Sequence, residues 1–138
     1  MTDFINLTSI EGGGSIYINV VDIYGLVSVE NEDKEEYPQI DCYTQIAVHK
    51  DGDQKEGAWP VKESVGEVTK LLGIHASDFL RVTFDPEGRD AMFRRDFVQA
   101  VAEIKSGRSH ISGIILRNGR TFRLKERAAE IVASMRTQ

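Results

Sequence analysis

At 138 residues, with 41% hydrophobic and 28% charged positions, the chain has the make-up of a soluble globular protein, which excludes global disorder. No apolar run approaches the roughly 20 residues that span a bilayer, and the start Met1-Thr2-Asp3 lacks the basic-then-apolar order of a signal peptide; no membrane partner is expected, and the expected place is the cytoplasm. Cys42 is the only cysteine, so an intrachain disulfide is excluded and stability has to come from packing.

The net charge of −5 conceals an asymmetry. Residues 1–76 hold 14 Asp and Glu against 5 Lys, leaving −9, while residues 77–138 hold 12 Lys and Arg against 8 Asp and Glu, leaving +4. Every arginine lies at Arg81 or later. Glu30–Asp41 concentrates six acids around one lysine, and Glu103–Arg127 concentrates seven Lys and Arg around two acids. Such a dipolar chain attracts an anionic ligand to one end or another copy of itself end to end, so a homo-oligomer is expected. The pI near 5.2 argues against extended nucleic acid as a partner.

In chain order, Phe4-Ile-Asn-Leu-Thr alternates as a short strand. Glu11-Gly-Gly-Gly-Ser is a hairpin turn rather than a phosphate cradle, because Ile16-Tyr-Ile-Asn-Val-Val, a strand and not a helix, follows it. Asp22-Ile-Tyr-Gly permits a tight reversal into Leu26-Val-Ser-Val-Glu. The acidic Asn31–Gln39 segment is a solvated loop, since the six neighbouring carboxylates of Glu30–Asp41 cannot be buried unpaired. The Cys42–Val48 strand is expected to turn Cys42, Ile46 and Val48 to the core and Tyr43, Gln45 and Ala47 away, with Lys50-Asp-Gly-Asp as the next hairpin tip. From Lys62 the period becomes helical: Val65, Val68, Leu71 and Leu72 follow the capping box Ser64/Glu67, and Gly73 ends the helix.

The same order then recurs. Phe79-Leu-Arg-Val-Thr matches Phe4-Ile-Asn-Leu-Thr in residue type, and Asp85-Pro-Glu-Gly is the turn. Ala91–Ile104 carries a helical stripe of Phe93, Phe97, Val101 and Ile104, but Ile18, Ile23, Leu26 and Val29 align without a gap on Phe93, Val98, Val101 and Ile104; strand, short helical turn and strand is the expected form. Asn118-Gly119 lies between two apolar runs as a type I′ hairpin turn, pairing Arg117 with Arg120, Ile115 with Phe122 and Ile114 with Arg123, before a last helix through Arg136. The expected fold is therefore α+β: two related small β-rich units (strands, hairpin, short C-terminal helix), 1–76 acidic and 77–138 Arg-rich. They are expected to pack as one body, because either alone would be marginal.

The pieces Phe4–Thr8, Tyr17–Ile23 and Val61–Val68 resemble the short bacterial swarming-motility FlbD-type domain over at most the first 73 residues. The resemblance implies a small β-rich module with a terminal helix and no catalytic residues to carry over. The acidic segment after Val29 and the second unit depart from that pattern.

Chemistry is sparse. His49, His75 and His110 are dispersed and Cys42 stands alone, so no metal site is expected. Asp51-Gly-Asp53 begins like a calcium loop, yet Glu56 and Lys62 stand where it needs glycine and a bidentate acid. No Gly-x-Ser-x-Gly motif occurs and nothing ties Cys42 to a histidine, so Cys42 reads as a small core residue. Asp85, Glu87 and Asp90 read as exposed turn acids. No enzymatic role and no cofactor are expected. The basic block is the remaining candidate: Arg117, Arg120, Arg123, Lys125 and Arg127 can converge on a phosphate through guanidinium forks, with Tyr43 or Trp59 stacking on a base and Phe122 in the core. The expected function is non-catalytic binding of a small anionic, nucleotide-like ligand on the Arg-rich half. The alternative is a protein-interaction or assembly module without a small-molecule ligand.

Overall fold

In the computed structural model, residues 3–32, 35, 39–49 and 56–136 are described. They form a strand-rich α+β protein that divides into two compact units, Met1–Ala76 and Ser77–Gln138. Most of the acidic Asn31–Gln39 segment, and all of the Lys50–Asp53 tip, lie outside the described residues.

The first unit opens with the antiparallel hairpin of β1 (Phe4–Thr8) and β2 (Ser15–Asn19), Ile5 facing Ile18 and Leu7 facing Ile16. Alternation sends Ile5, Leu7 and Ile18 into the core and leaves Phe4 and Tyr17 on the other face, exposed. Gly12 and Gly13 hold φ values of +80° and +67° in the connection, a backbone that L side chains rarely adopt. A 3-10 turn at Val20–Asp22 follows, with Asn19 Oδ1 accepting from Val21 N at 3.3 Å. The turn therefore precedes Ile23 rather than spanning the expected Asp22–Gly25 stretch. Ile23, Tyr24 and Gly25 belong to β3 (Ile23–Glu30), where Tyr24 is the extra residue of a bulge and is buried.

β3, β4 (Cys42–His49) and β5 (Glu56–Val61) form an antiparallel meander. Asn31 is buried and donates from N and Nδ2 to the carbonyls of Asp41 and Ile40, so the acidic excursion leaves and returns at one point. Thr44, Ile46 and Val48 are buried on one face as alternation requires. Cys42 is exposed, contrary to its expected core place, because it ends the strand opposite Glu30. Helix α1 (Val65–Leu72) has both bonds of the Ser64/Glu67 capping box, buries Val65, Val68 and Leu72, and stops at Gly73 with φ +58°.

The second unit contains β6 (Phe79–Thr83), β7 (Asp90–Arg94), a 3-10 turn at Arg95–Phe97 and β8 (Val98–Ser106). Residues 91–104 thus run strand, short turn, strand. β9 (Ser109–Leu116), β10 (Thr121–Leu124) and helix α2 (Ala128–Arg136) complete it. A register shift lies between Val98 and Ala100, as one lies between Ile23 and Gly25 in β3. Phe122 stacks on Phe84 at 5.0 Å and tilts against Phe93 at 5.1 Å between ring centroids.

The β9–β10 connection departs from expectation by one residue. Leu116 N donates to Arg120 O and Gly119 N to Leu116 O, both at 2.9 Å, while Asn118 Oδ1 accepts from Arg120 N at 3.0 Å. The loop holds three residues, Arg117 to Gly119, with glycine in the left-handed position at φ +87°. Phe122 consequently faces Ile114, and Arg123 faces Gly113. The expected Arg117–Arg120, Ile115–Phe122 and Ile114–Arg123 pairs do not form, and Phe122 is half-buried rather than core.

Each unit fastens its first strand to its last in the same manner. In the first, Lys62 N donates to Thr8 O at 2.9 Å, and Thr8 N and Oγ1 donate to the Glu63 carboxylate at 2.8 and 2.9 Å. In the second, Lys125 N donates to Thr83 O at 2.9 Å and Thr83 N to Glu126 Oε1 at 2.9 Å. Removing the acceptor strands a part-buried amide: Glu63→Ala and Glu126→Ala are expected to lower the unfolding free energy by about 1–3 kcal/mol each. Glu126→Gln, which keeps an acceptor, should lose less in urea titration.

Candidate functional site

The basic block is distributed rather than gathered. Arg117 sits in the β9–β10 loop, its Nε donating to Asp96 O at 2.6 Å and its backbone N to Phe97 O at 3.0 Å. The Arg120 guanidinium lies 5.4 Å from the centroid of the Phe122 ring. Arg123 Nε donates to Asp85 Oδ2 at 2.9 Å, joining β10 to the β6–β7 turn. Lys125 places Nζ 3.4 Å from where a Cβ on Gly88 would stand, beside the same turn. Arg127 Nε donates to Glu103 Oε1 at 3.2 Å, joining the start of α2 to β8. Arg123 shares the sheet face of Gly113 and Ala102, whereas Arg127 is bonded to Glu103 on the other face. Three of the four arginines thus hold this unit's own loops and helix.

Glu103 is the centre of a polar cluster that single-residue reasoning missed. Besides Arg127, it accepts from Ser112 Oγ at 3.4 Å and lies 3.7 Å from His110 Nδ1. The Arg127 hydrogen bond holds its carboxyl below the ordinary glutamate range against partial desolvation, with the Arg127 charge, the Ala128 amide and His110 acting in the same direction as the bond. The cluster follows from the β8–β9 register, which sets Glu103 opposite Ser112 and Lys105 opposite His110. The Ser106-Gly107 turn was the signal that could have placed it.

Tyr43 and Trp59 are not brought together. Tyr43 pairs with Val29, and Trp59 pairs with Ile46 on the opposite face of the meander. One base cannot lie between them. Trp59 instead joins Phe4 and Tyr17 around an open groove of about 440 Å³ in the first unit, with Asn19, Asp22 and Val48 also in its wall. The three rings are 45%, 58% and 65% exposed for Trp59, Phe4 and Tyr17. The signal for this groove lay in strand alternation: Phe4 and Tyr17 occupy positions on the face shared with polar Asn6 and Asn19. In the second unit, Ile104, Ile111 and Ile115 line a smaller hollow of about 280 Å³ with Ala102 and Arg123.

Among the described residues no group of three or more His, Cys, Asp and Glu could hold a metal ion, and no helix is long and apolar enough to cross a membrane. No family model, curated protein or solved structure matches the chain. What the geometry defines is an α+β protein with three aromatic rings open to solvent around one groove, and with Arg117, Arg123 and Arg127 bonded within their own unit.

Because the Glu103 pKa is lowered in the folded state, its contact with Arg127 stabilises the fold above the ordinary glutamate pKa and is lost as pH falls through the depressed value. Arg127→Ala is expected to move the Glu103 titration upward, measured by carboxyl NMR, and to remove that part of the acid-side loss of stability.

Proposed function

We propose that this protein is a non-catalytic interaction module that docks a partner protein in the aromatic groove of its first unit. The observation carrying this reading is the exposure of Phe4, Tyr17 and Trp59 around one groove. Aromatic side chains are the residues most enriched at the energetic centres of protein interfaces, and contiguous apolar patches left in water mark binding surfaces. The rival, a phosphate-bearing ligand held by Arg117, Arg120, Arg123 and Arg127, has weaker support: a phosphate would have to displace the acceptors already taken by Arg117, Arg123 and Arg127.

We also propose that the two units descend from one plan. Matching hairpins, 3-10 turns and register shifts support this, as do the two carboxylate clasps. The FlbD-type resemblance of the first unit implies a module without catalytic residues, in keeping with the non-catalytic reading.

Site-specific photo-cross-linking tests the docking site. Tyr17→p-benzoylphenylalanine in the cell of origin is expected to give a discrete protein adduct that Trp59→Ser diminishes, whereas the same probe at Lys70, exposed on α1, gives none. Absence of an adduct at position 17, or identical adducts from both positions, would overturn the reading.

A further inference from the structure

We infer that the groove of the first unit recognises positive charge: its occupant is an arginine- or lysine-bearing segment of a partner protein, whose cation lies against Phe4, Tyr17 and Trp59 and near the Asp22 carboxylate. This rests on the docking reading above and adds the chemistry of what is docked.

The strongest argument is internal. In the second unit the first cross-strand pair of the opening hairpin is Phe79 and Arg94, and the Arg94 guanidinium lies 4.7 Å from the centroid of the Phe79 ring. Phe79 is only 3% exposed. The corresponding pair in the first unit is Phe4 and Asn19. Asparagine brings no cation, and Phe4 is 58% exposed. Three rings of the second unit, Phe79, Phe84 and Phe122, carry arginines of their own chain. The first unit contains no arginine, and among the described residues no cation lies over Phe4, Tyr17 or Trp59. The first unit thus keeps the ring and lacks the charge that its counterpart supplies from within.

The electrostatics agree. An aromatic face attracts a cation through its quadrupole, most strongly in tryptophan, and the groove adds the Asp22 carboxylate and the Asn19 amide. Residues 1–76, the chain of the first unit, carry a net −9, a charge that draws cations and repels acidic segments. At about 440 Å³ the groove falls within the range of roughly 300–1,000 Å³ usual for ligand clefts. A second copy of this chain would have to present cations other than Arg117, Arg123 and Arg127, which are already bonded to their own unit.

Trp59 is the only tryptophan, so its fluorescence reports on the groove directly. The probes are a capped glycine-spaced arginine peptide and the same peptide with citrulline, which keeps the shape of arginine without its charge. The arginine peptide is expected to change Trp59 emission saturably, with the citrulline peptide about tenfold weaker and Asp22→Asn also weakening the arginine peptide. Asn19→Arg, which places at β2 the cation that β7 carries, is expected to abolish binding. The turn should tolerate it, because Arg94 makes no side-chain cap bond at the equivalent place. Equal affinity for citrulline would overturn charge recognition while leaving the docking groove, as would silence toward both peptides with the position-17 cross-link intact. Silence together with loss of that cross-link would remove both readings. Self-association of the wild type that Asn19→Arg abolishes would replace the foreign partner by a second copy.

Discussion

Each unit depends on one carboxylate placed between its last strand and its helix. Glu63 reaches back 55 residues to Thr8 and Glu126 reaches back 43 residues to Thr83. Without that bond the amide of the first strand's final residue would face a part-buried site unpaired, which costs more than a hydrogen bond returns. The backbone pairs from Lys62 and Lys125 to the same threonines set the alignment, and the ionised acceptor strengthens the closure. The helix begins at once on the far side of the clasp, so closing the sheet also delivers Val65 and Val68 of α1, or Ile131 of α2, to the core.

Alike in that closure, the two units differ in what their surfaces hold. The second is compensated from within: arginines cover phenylalanine rings, bond carboxylates, and tie loops to strands. The first leaves Phe4, Tyr17 and Trp59 exposed around a groove that Asp22 also lines, and it contains no arginine. Charge asymmetry along the chain therefore becomes a difference in chemistry between a unit whose arginines lie over its own rings and carboxylates and one whose exposed rings have, among the described residues, no cation over them.

What the sequence by itself determined is what short-range physics controls. The capping box Ser64/Glu67, the stop at Gly73, the glycine turn after Glu11 and the alternation of Ile5, Leu7 and Ile18 all depend on sterics and hydrogen bonds within a few residues. The strand–turn–strand form of 91–104 was legible because a second stretch of the chain offered an independent alignment against the helical stripe.

Tertiary structure decided the rest. Whether Asn118-Gly119 makes a two- or three-residue loop is a small local difference, yet it moves Phe122 opposite Ile114 and sends Arg123 to the other face. Cys42 obeys its strand's alternation but ends at an exposed edge that only the pairing with Glu30 reveals. Tyr43 and Trp59 read alike as available aromatics, and the β4–β5 register divides them. The groove needs Phe4, Tyr17 and Trp59 from three strands, and the Glu103 cluster needs β8, β9 and the start of α2. Contacts between strands depend on register and on distant partners, and a linear pattern carries the tendency to pair without the alignment that pairing finally adopts.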